Sequence, residues 1–410
     1  MGSIFKLAWR NIWRNTRRTI LTMCAIGFGA ALIVFSVGIQ LGEYDLMISG
    51  STRIYQGLIQ IQKKGYLKDE RMRDSIPNAE KLAQQVRDHT GINSVAVRAN
   101  GFALVSSKQR TYGVLIAGVQ AKYEKDVSII PSVVKQGHYL SSDSAEEAVI
   151  GRSLAKNLKI SVGDEITIMG SGRDGSVAAT ILPVVGIFES GSKALDRTMV
   201  QIPLHTFQNV FSMGNHAHAI VLYDKRAKLA LPLQHELQTM INGRNQHLVA
   251  LTWDQIQPGI KQSIELDYSS GWVMYIVLIA VITFSIMNTF LMSVLERTRE
   301  FGIMLALGLR PLNIGKMVMM EALLLTIIAL IIGTLVGVAI NYYFDVHGLT
   351  FEGMEEIAAQ YNMPATITPQ LSLESSLIGP SVILLFTLLS ALFPALKIRK
   401  LEPVEAMRHI

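Results

Sequence analysis

Few side chains in this sequence stand in patterns that could do chemistry. His216 and His218 flank Ala217 and offer two imidazoles. Alternate residues of an extended strand point to opposite faces, however, so joint ligation of one metal ion is awkward and a plain strand end is the better reading. Gly170, Gly172 and Gly175 form a loose glycine cluster that no Lys-Ser or Lys-Thr pair follows. Phosphate binding is therefore disfavoured, and Arg173, Asp174, Gly175 and Ser176 suit a turn between two strands instead. The single cysteine, Cys24, lies within an apolar run, which excludes an intrachain disulfide framework and a Cys-based zinc site. Glu265 and Asp267, beside a hydrophobic stretch, could contact a substrate headgroup, although solvated acids at a membrane edge are commoner. No catalytic or metal-binding constellation emerges, so the expected function is not enzymatic.

The densest polar pattern is residues 296–316, ERTREFGIMLALGLRPLNIGK. The charged residues Glu296, Arg297, Arg299 and Glu300 precede Phe301, Ile303, Met304, Leu305 and Leu307. This spacing predicts a charged helix end leading into a short apolar helix that Gly308 terminates. Such a helix either lies in the membrane interface or fills a groove in a partner protein, and the residues alone leave both open. Gly315 and Lys316 are followed by Met317, so the phosphate-cradling pattern G-x-x-x-x-G-K-[ST] is not met here.

The elements that must carry this loop are hydrophobic. Of 410 residues, 50% are hydrophobic and only 17% charged, a composition suited to a membrane protein with a substantial soluble part. Four stretches, 19–41, 271–295, 317–344 and 377–396, are long enough to cross about 30 Å of hydrocarbon as helices. The first lacks a small-residue cleavage site and is too long for a signal peptide, so it is read as a retained anchor. The net charge of +6 sits beside these spans rather than in one stripe, which favours a membrane surface over nucleic acid. Lys6, Arg10, Arg14, Arg17 and Arg18 lie in the amphipathic N-terminal segment 1–18. Arg297, Arg299, Arg310 and Lys316 lie in the loop 296–316, and Lys397, Arg399, Lys400 and Arg408 in the tail 397–410. The connection 345–376 holds Asp345, Glu352, Glu355, Glu356 and Glu374, with no lysine or arginine. This distribution predicts both termini on the cytoplasmic side, with 42–270 and 345–376 outside.

Residues 42–270 are polar enough to form a soluble domain. Strands are expected at 58–62, 111–119, 165–169, 178–188 and 218–222, and helices at 77–89, 151–158, 203–211 and 226–241. Residues 43–54 and 253–268 read as helices continuing the first two spans outward as a stalk. The expected fold is an integral membrane α-helical protein of four transmembrane helices with a large extracytoplasmic α+β domain inserted between helices 1 and 2.

The loop resembles the E-R-T-R-E-x-G-I-x-x-A-L-G signature of FtsX-like and MacB-like permeases of ABC transporters, with Glu296, Arg297, Thr298, Arg299, Glu300, Gly302, Ile303, Ala306, Leu307 and Gly308 in place. Glu321 in MEALLL resembles that family's I-E-A-L-L-L run. The tail, Pro394, Ala395 and then Leu401 to Arg408, is similar to its P-A … L-x-P-V-E-A-L-R ending, with Met407 for leucine. Residues 149–167, VIGRSLAKNLKISVGDEIT, resemble its G-x-x-L-A-x-x-L-x-x-x-V-G-D segment. The resemblance implies a bacterial inner-membrane permease subunit that pairs with a second copy or a related chain and sits on a dimer of cytoplasmic ATPase subunits. ATP and Mg would then be bound by that partner, with no cofactor on this chain. Residues 296–308 would act as the coupling helix, moving the outer domain as a lever rather than passing cargo through a channel.

Three functions occur in such a family. These are release of lipoproteins by Lol-like permeases, efflux of macrolides or peptides through an adaptor by MacB-like ones, and signalling to cell-wall hydrolases by FtsX-like ones. Gly186, Ile187, Phe188, Glu189, Ser190, Gly191, Leu195 and Asp196 resemble the Lol-type G-I-F-x-T-G … x-D segment. Residues 60–66, QIQKKGY, resemble its H-I-x-I-x-x-x-G-Y stretch, with Gln60 for histidine. Lipoprotein or lipid release is thus the favoured expectation, with a periplasmic acceptor or adaptor as a further partner. The flexible thioethers of Met274, Met287 and Met292 would suit acyl chains of varied shape, although apolar residues also face lipid in every membrane protein. Gly38 with Gly42, and Gly333 with Gly337, have small-xxx-small spacing that serves packing within a subunit or between subunits equally well.

Overall fold

The computed structural model describes residues 2–350, 353 and 366–398, apart from 109, 225, 227–228 and 244–246. The tail motif 401–408 and the acidic residues Glu352, Glu355 and Glu356 lie outside the described residues. Two compact units form. One contains residues Met1–Tyr44, Ile264–Thr350 and Thr366–Ile410, and the other Asp45–Ser263 and Phe351–Ala365.

The first unit is helical: α1 (Gly2–Ile12), α2 (Thr16–Ser51), α3 (Pro258–Glu296), α4 (Thr298–Ala306), α5 (Pro311–His347) and α6 (Leu373–Lys397). Helices α2, α3, α5 and α6 contain the four candidate membrane spans by length and composition. Helix α2 runs without interruption past residue 41 to Ser51 and ends in a π-helical turn, Thr52–Gln56, closed by Gly57 at φ +75°. The second expected stalk segment, 253–268, is instead two helices. Trp253–Ile256 ends at Gln257 (φ −126°, ψ 69°) and α3 starts at Pro258, because proline excludes the helical conformation from the residue before it.

Close backbone contacts build this bundle. A Cβ on Gly333 would lie 2.2 Å from the Gly27 carbonyl oxygen, and one on Gly337 would lie 2.9 Å from that of Ala31. Helices α2 and α5 thus run side by side in the same direction. Asn341 Nδ2 donates to the Val34 carbonyl at 2.9 Å, and Gly38 leaves room for the Asn341 amide. Gly42 meets the Thr368 carbonyl. The two small-xxx-small pairs are therefore used for contacts within the chain.

The inserted domain is mixed α+β, with strands β1 (Ile59–Lys63), β2 (Val95–Ser106), β3 (Thr111–Val119), β4 (Val134–Gly137), β5 (Ala148–Gly151), β6 (Glu165–Ser171), β7 (Val177–Phe188), β8 (Met199–Pro203), β9 (Ala219–Leu222) and β10 (Leu248–Thr252). The strands run in the order β10-β1-β9-β2-β3-β8-β5-β7-β4, and β6 joins β2 to β7. That junction closes a six-stranded ring, β2-β3-β8-β5-β7-β6, around the inward side chains Val105, Val114, Ile116, Ile166, Ile168 and Leu182. Strand β2 forks to make this possible: Val95–Arg98 pair with β9 while Ala103–Ser106 pair with β6. Phe207 packs where a Cβ on Gly118 would sit 2.4 Å from its Cβ and 2.7 Å from its ring, and Phe207 stacks on Phe211 at 4.3 Å. Strands β2, β4, β5, β8 and β10 are additions to the sequence expectation. Strands β5 and β8 are buried along their whole length, so they carry no apolar-polar alternation to signal them.

Candidate functional site

The loop at the N-terminal end of the bundle folds as expected locally. Helix α4 is stopped by Gly308 at φ +91°, with Gly308 N donating to Leu305 O at 3.0 Å and Leu309 N to Met304 O at 3.1 Å, the paired bonds of a Schellman close. Its two faces differ. Thr298, Phe301 and Gly302 are buried, with Phe301 packed among Val294, Ile314, Met317, Val318 and Ile398. On the other face Arg299, Ile303, Ala306, Leu307 and Gly308 are exposed, with Leu307 78% exposed. The signature thus divides into residues that seat the helix on its own bundle and residues that face away from it.

Charge holds the seated face. Arg297 and Glu321 are only 8% and 11% exposed and meet at 3.0 Å. Arg297 Nη1 donates to both Glu321 oxygens, Asn11 Nδ2 donates to Glu321 Oε1 at 2.7 Å, and the Arg297 guanidinium lies 5.0 Å from the Phe301 ring centroid. Arg297 Nε reaches Glu300 at 3.2 Å, and Arg14 binds Glu300 through two nitrogens at 3.0 and 2.8 Å. Arg18 pairs with Glu296 at 2.5 Å and with Ser293 Oγ at 2.8 Å. Burial pushes the Glu300 carboxyl up, but the bonds from Arg14 and Arg297 outweigh it and hold the group below its ordinary value. Asn11, Arg14, Arg18, Ser293, Glu296, Arg297 and Glu321 line a polar cavity of about 230 Å³. Sequence reasoning placed Arg14 and Arg18 at the lipid surface. The signal in the sequence is the matching four-residue spacing of Arg14/Arg18 and Glu296/Glu300, which form the two ion pairs.

At the opposite end of the same unit, α2, α3 and α6 enclose an apolar cavity of about 220 Å³. Ile33, Val37, Leu41, Ile279, Ile378 and Val382 form its walls, with Gln40, Tyr44, Tyr268, Trp272 and Tyr275 also lining it. Tyr44 Oη donates to Asp267 Oδ2 at 2.8 Å, Gln40 Nε2 donates to the same oxygen at 3.2 Å, and Tyr275 Oη donates to Gln40 Oε1 at 3.2 Å. Met274, Met287 and Met292 do not line this cavity. Met274 and Met292 are exposed and Met287 is half-buried on α3.

The other sequence candidates have structural partners. His218 is fully buried, accepts from Asn100 N at 2.9 Å, bonds Met72 O at 3.1 Å and stacks on Tyr66. Burial pushes its pKa down to about 4, so the imidazole is neutral. His216 bonds Ser75 instead. Residues 172–176 form the β6–β7 turn, with Gly175 at φ +90° and Asp174 accepting from Ser176 N at 2.9 Å. In the segment 186–196, Asp196 accepts from Ser190 N and Oγ at 2.9 and 2.7 Å, a clasp that closes the turn after β7. Gln60 and Gln62 are buried and bonded to each other.

Comparison with known proteins gives two family matches. Residues 272–403 match the FtsX-like permease C-terminal model, and residues 19–230 match the MacB-like periplasmic core domain, which is more than half of the chain. The lipoprotein-releasing system transmembrane protein LolC of Xylella fastidiosa is 22% identical over 317 residues, covering 73% of this chain and 74% of its own. The macrolide export ATP-binding/permease protein MacB of Campylobacter jejuni is 24% identical over 360 residues, covering 83% of this chain and 54% of its own, so this chain spans about half of that relative. The solved periplasmic region of MacB from Actinobacillus actinomycetemcomitans is 18% identical with a TM-score of 0.37, covering 52% of this chain and 94% of its own. The chain belongs to the FtsX-like and MacB-like permease family of ABC transporters, together with its Lol-type members.

Proposed function

We propose that this chain is the membrane subunit of a mechanically coupled ABC transporter that extracts lipid-like molecules, lipoproteins foremost, from the inner membrane on its periplasmic side. A separate cytoplasmic ATPase pair binds ATP and Mg and docks on α4. The observation that carries the substrate class is the apolar cavity between α2, α3 and α6, whose lining includes no acidic or basic residue. Each buried methylene of an acyl chain contributes about 0.8 kcal/mol there.

Coupling rests on the two faces of α4. The seated face ties the helix to α5 and the N-terminal segment, so a push on Ile303, Ala306 and Leu307 moves the bundle rather than the helix alone. In this reading the polar face of the loop and both termini lie on the cytoplasmic side, which the lysine and arginine distribution supports. Leu307→Glu alters a side chain with 78% exposure, so it should leave membrane insertion intact while removing ATPase co-purification and lipoprotein-stimulated ATP turnover. Normal coupled release from vesicles in that variant would refute the docking assignment.

MacB-like export of an amphiphile through an adaptor is the second reading. It is favoured by the periplasmic-core match over residues 19–230. Release of vesicle-bound lipoprotein without an adaptor separates the two.

A further inference from the structure

We infer that the cavity between α2, α3 and α6 selects cationic amphiphiles, holding an ammonium headgroup at its mouth between Asp267 and the rings of Tyr44, Tyr268 and Trp272. The inference rests on the lipid-like-substrate reading and adds to it the sign of the headgroup.

Three observations point the same way. Asp267 is oriented by Tyr44 and Gln40, which both line the cavity and both bond Oδ2; Oδ1 has no partner among the described residues. An oriented carboxylate with one free oxygen is an acceptor for an N–H donor or a counter-ion for a quaternary nitrogen. The aromatic side chains supply the second element. Tyr268 and Trp272 meet edge to face at 6.0 Å, and with Tyr44 and Tyr275 they border the same cavity. The negative faces of such rings attract cations, above all quaternary ammonium groups.

The third observation is the charge carried by the segments that hold these residues. Residues 32–44, 264–285, 330–350 and 366–388 contain no lysine or arginine, whereas Glu43, Glu265, Asp267, Asp345 and Glu374 fall within them. Glu43 lies within electrostatic reach of Asp267. An anionic headgroup would be repelled by Asp267 and Glu43, and a neutral one would leave Asp267 unused, so the site discriminates by repulsion as well as attraction. The apolar walls below the mouth take the chain of the same molecule.

The test uses the full-length protein in maltoside micelles, with Trp9, Trp13 and Trp253 replaced by phenylalanine so that Trp272 alone reports. Its emission is titrated with dodecyltrimethylammonium, the neutral dodecyldimethylamine oxide and dodecanoate. The trimethylammonium compound should bind about tenfold more tightly than dodecanoate, the step expected for one favourable and one unfavourable charge contact. Asp267→Asn should erase that difference and leave amine-oxide binding unchanged. Gln40→Lys, which places a cation beside Asp267, should do the same if the asparagine variant proves unstable. Equal binding of all three amphiphiles to the native chain would overturn the headgroup inference while the apolar-substrate reading survives. Binding of none of them, with the cavity occupied by a second copy of the chain or closed, would overturn both.

Discussion

Replacing Glu321 by glutamine tests whether the buried charge cluster seats the coupling helix. The substitution keeps the shape and the acceptor for Asn11 Nδ2, which lies 2.7 Å away, and removes only the negative charge that faces Arg297. Breaking a buried ion pair by neutralising one partner costs about 3–5 kcal/mol when the other charge is left alone. Arg297 is not left alone, because its Nε still reaches Glu300 at 3.2 Å. Glu300 is shared with Arg14 and is 42% exposed, so it compensates only in part, and the net cost is expected at about 2–3 kcal/mol. Helix α4 has one buried aromatic, Phe301, as its other anchor, so the loss should appear as local opening of Thr298–Ala306 rather than global unfolding. Amide hydrogen exchange in that helix should accelerate roughly 30- to 150-fold, the factor corresponding to that free energy. The double variant Arg297→Gln, Glu321→Gln should recover part of the protection, since neither charge is then stranded. Exchange within about threefold of the native chain in the single variant would refute the role of this pair.

In the inserted domain, His218 makes stability depend on pH. Its folded pKa of about 4 lies below the ordinary value near 6.5, so the unfolded chain binds the proton first. The contribution, about 3 kcal/mol, is therefore fully present above pH 6.5 and lost as pH falls toward 4; melts from pH 7 to 4 should show this slope, and His218→Gln should flatten it. Arg98 and Glu124 are 1% and 0% exposed and meet at 2.6 Å, so Glu124→Gln should destabilise the domain by about 3–5 kcal/mol, whereas Arg98→Met with Glu124→Leu should cost less than either single change. Hydrogen exchange along β2 and β3 measures both. Gly333→Ala forces a Cβ to within 2.2 Å of a backbone oxygen and should lower stability in detergent by about 1–3 kcal/mol. Gly315→Ala, whose Cβ would lie 3.4 Å from its nearest neighbour, should be neutral or stabilising by up to about 1 kcal/mol.

Local chemistry was legible without coordinates. Span lengths follow from runs of apolar residues, the α4 stop follows from a glycine able to take φ +91°, and the 172–176 turn follows from Asp174, Gly175 and Ser176. Strands β3, β6 and β7 were legible where one face meets water, and β1 and β9 from apolar β-branched residues even though they are buried almost throughout, whereas β10 was missed although its burial alternates. Strands buried on both faces, such as β5 and β8, look like any other apolar run.

The amino-acid sequence by itself determined the membrane class, the inserted α+β domain and the loop that turns back at Gly308, because each depends on hydrophobic length or on residues within a few positions of one another. Tertiary structure alone decided that Asn11 reaches Glu321 across a sequence separation of 310, that Gly333 packs on Gly27, that β6 closes a ring, and which half of the loop signature faces outward. Those outcomes depend on which distant surface each side chain meets, and neither helical nor strand periodicity specifies the identity of the residue on the other side.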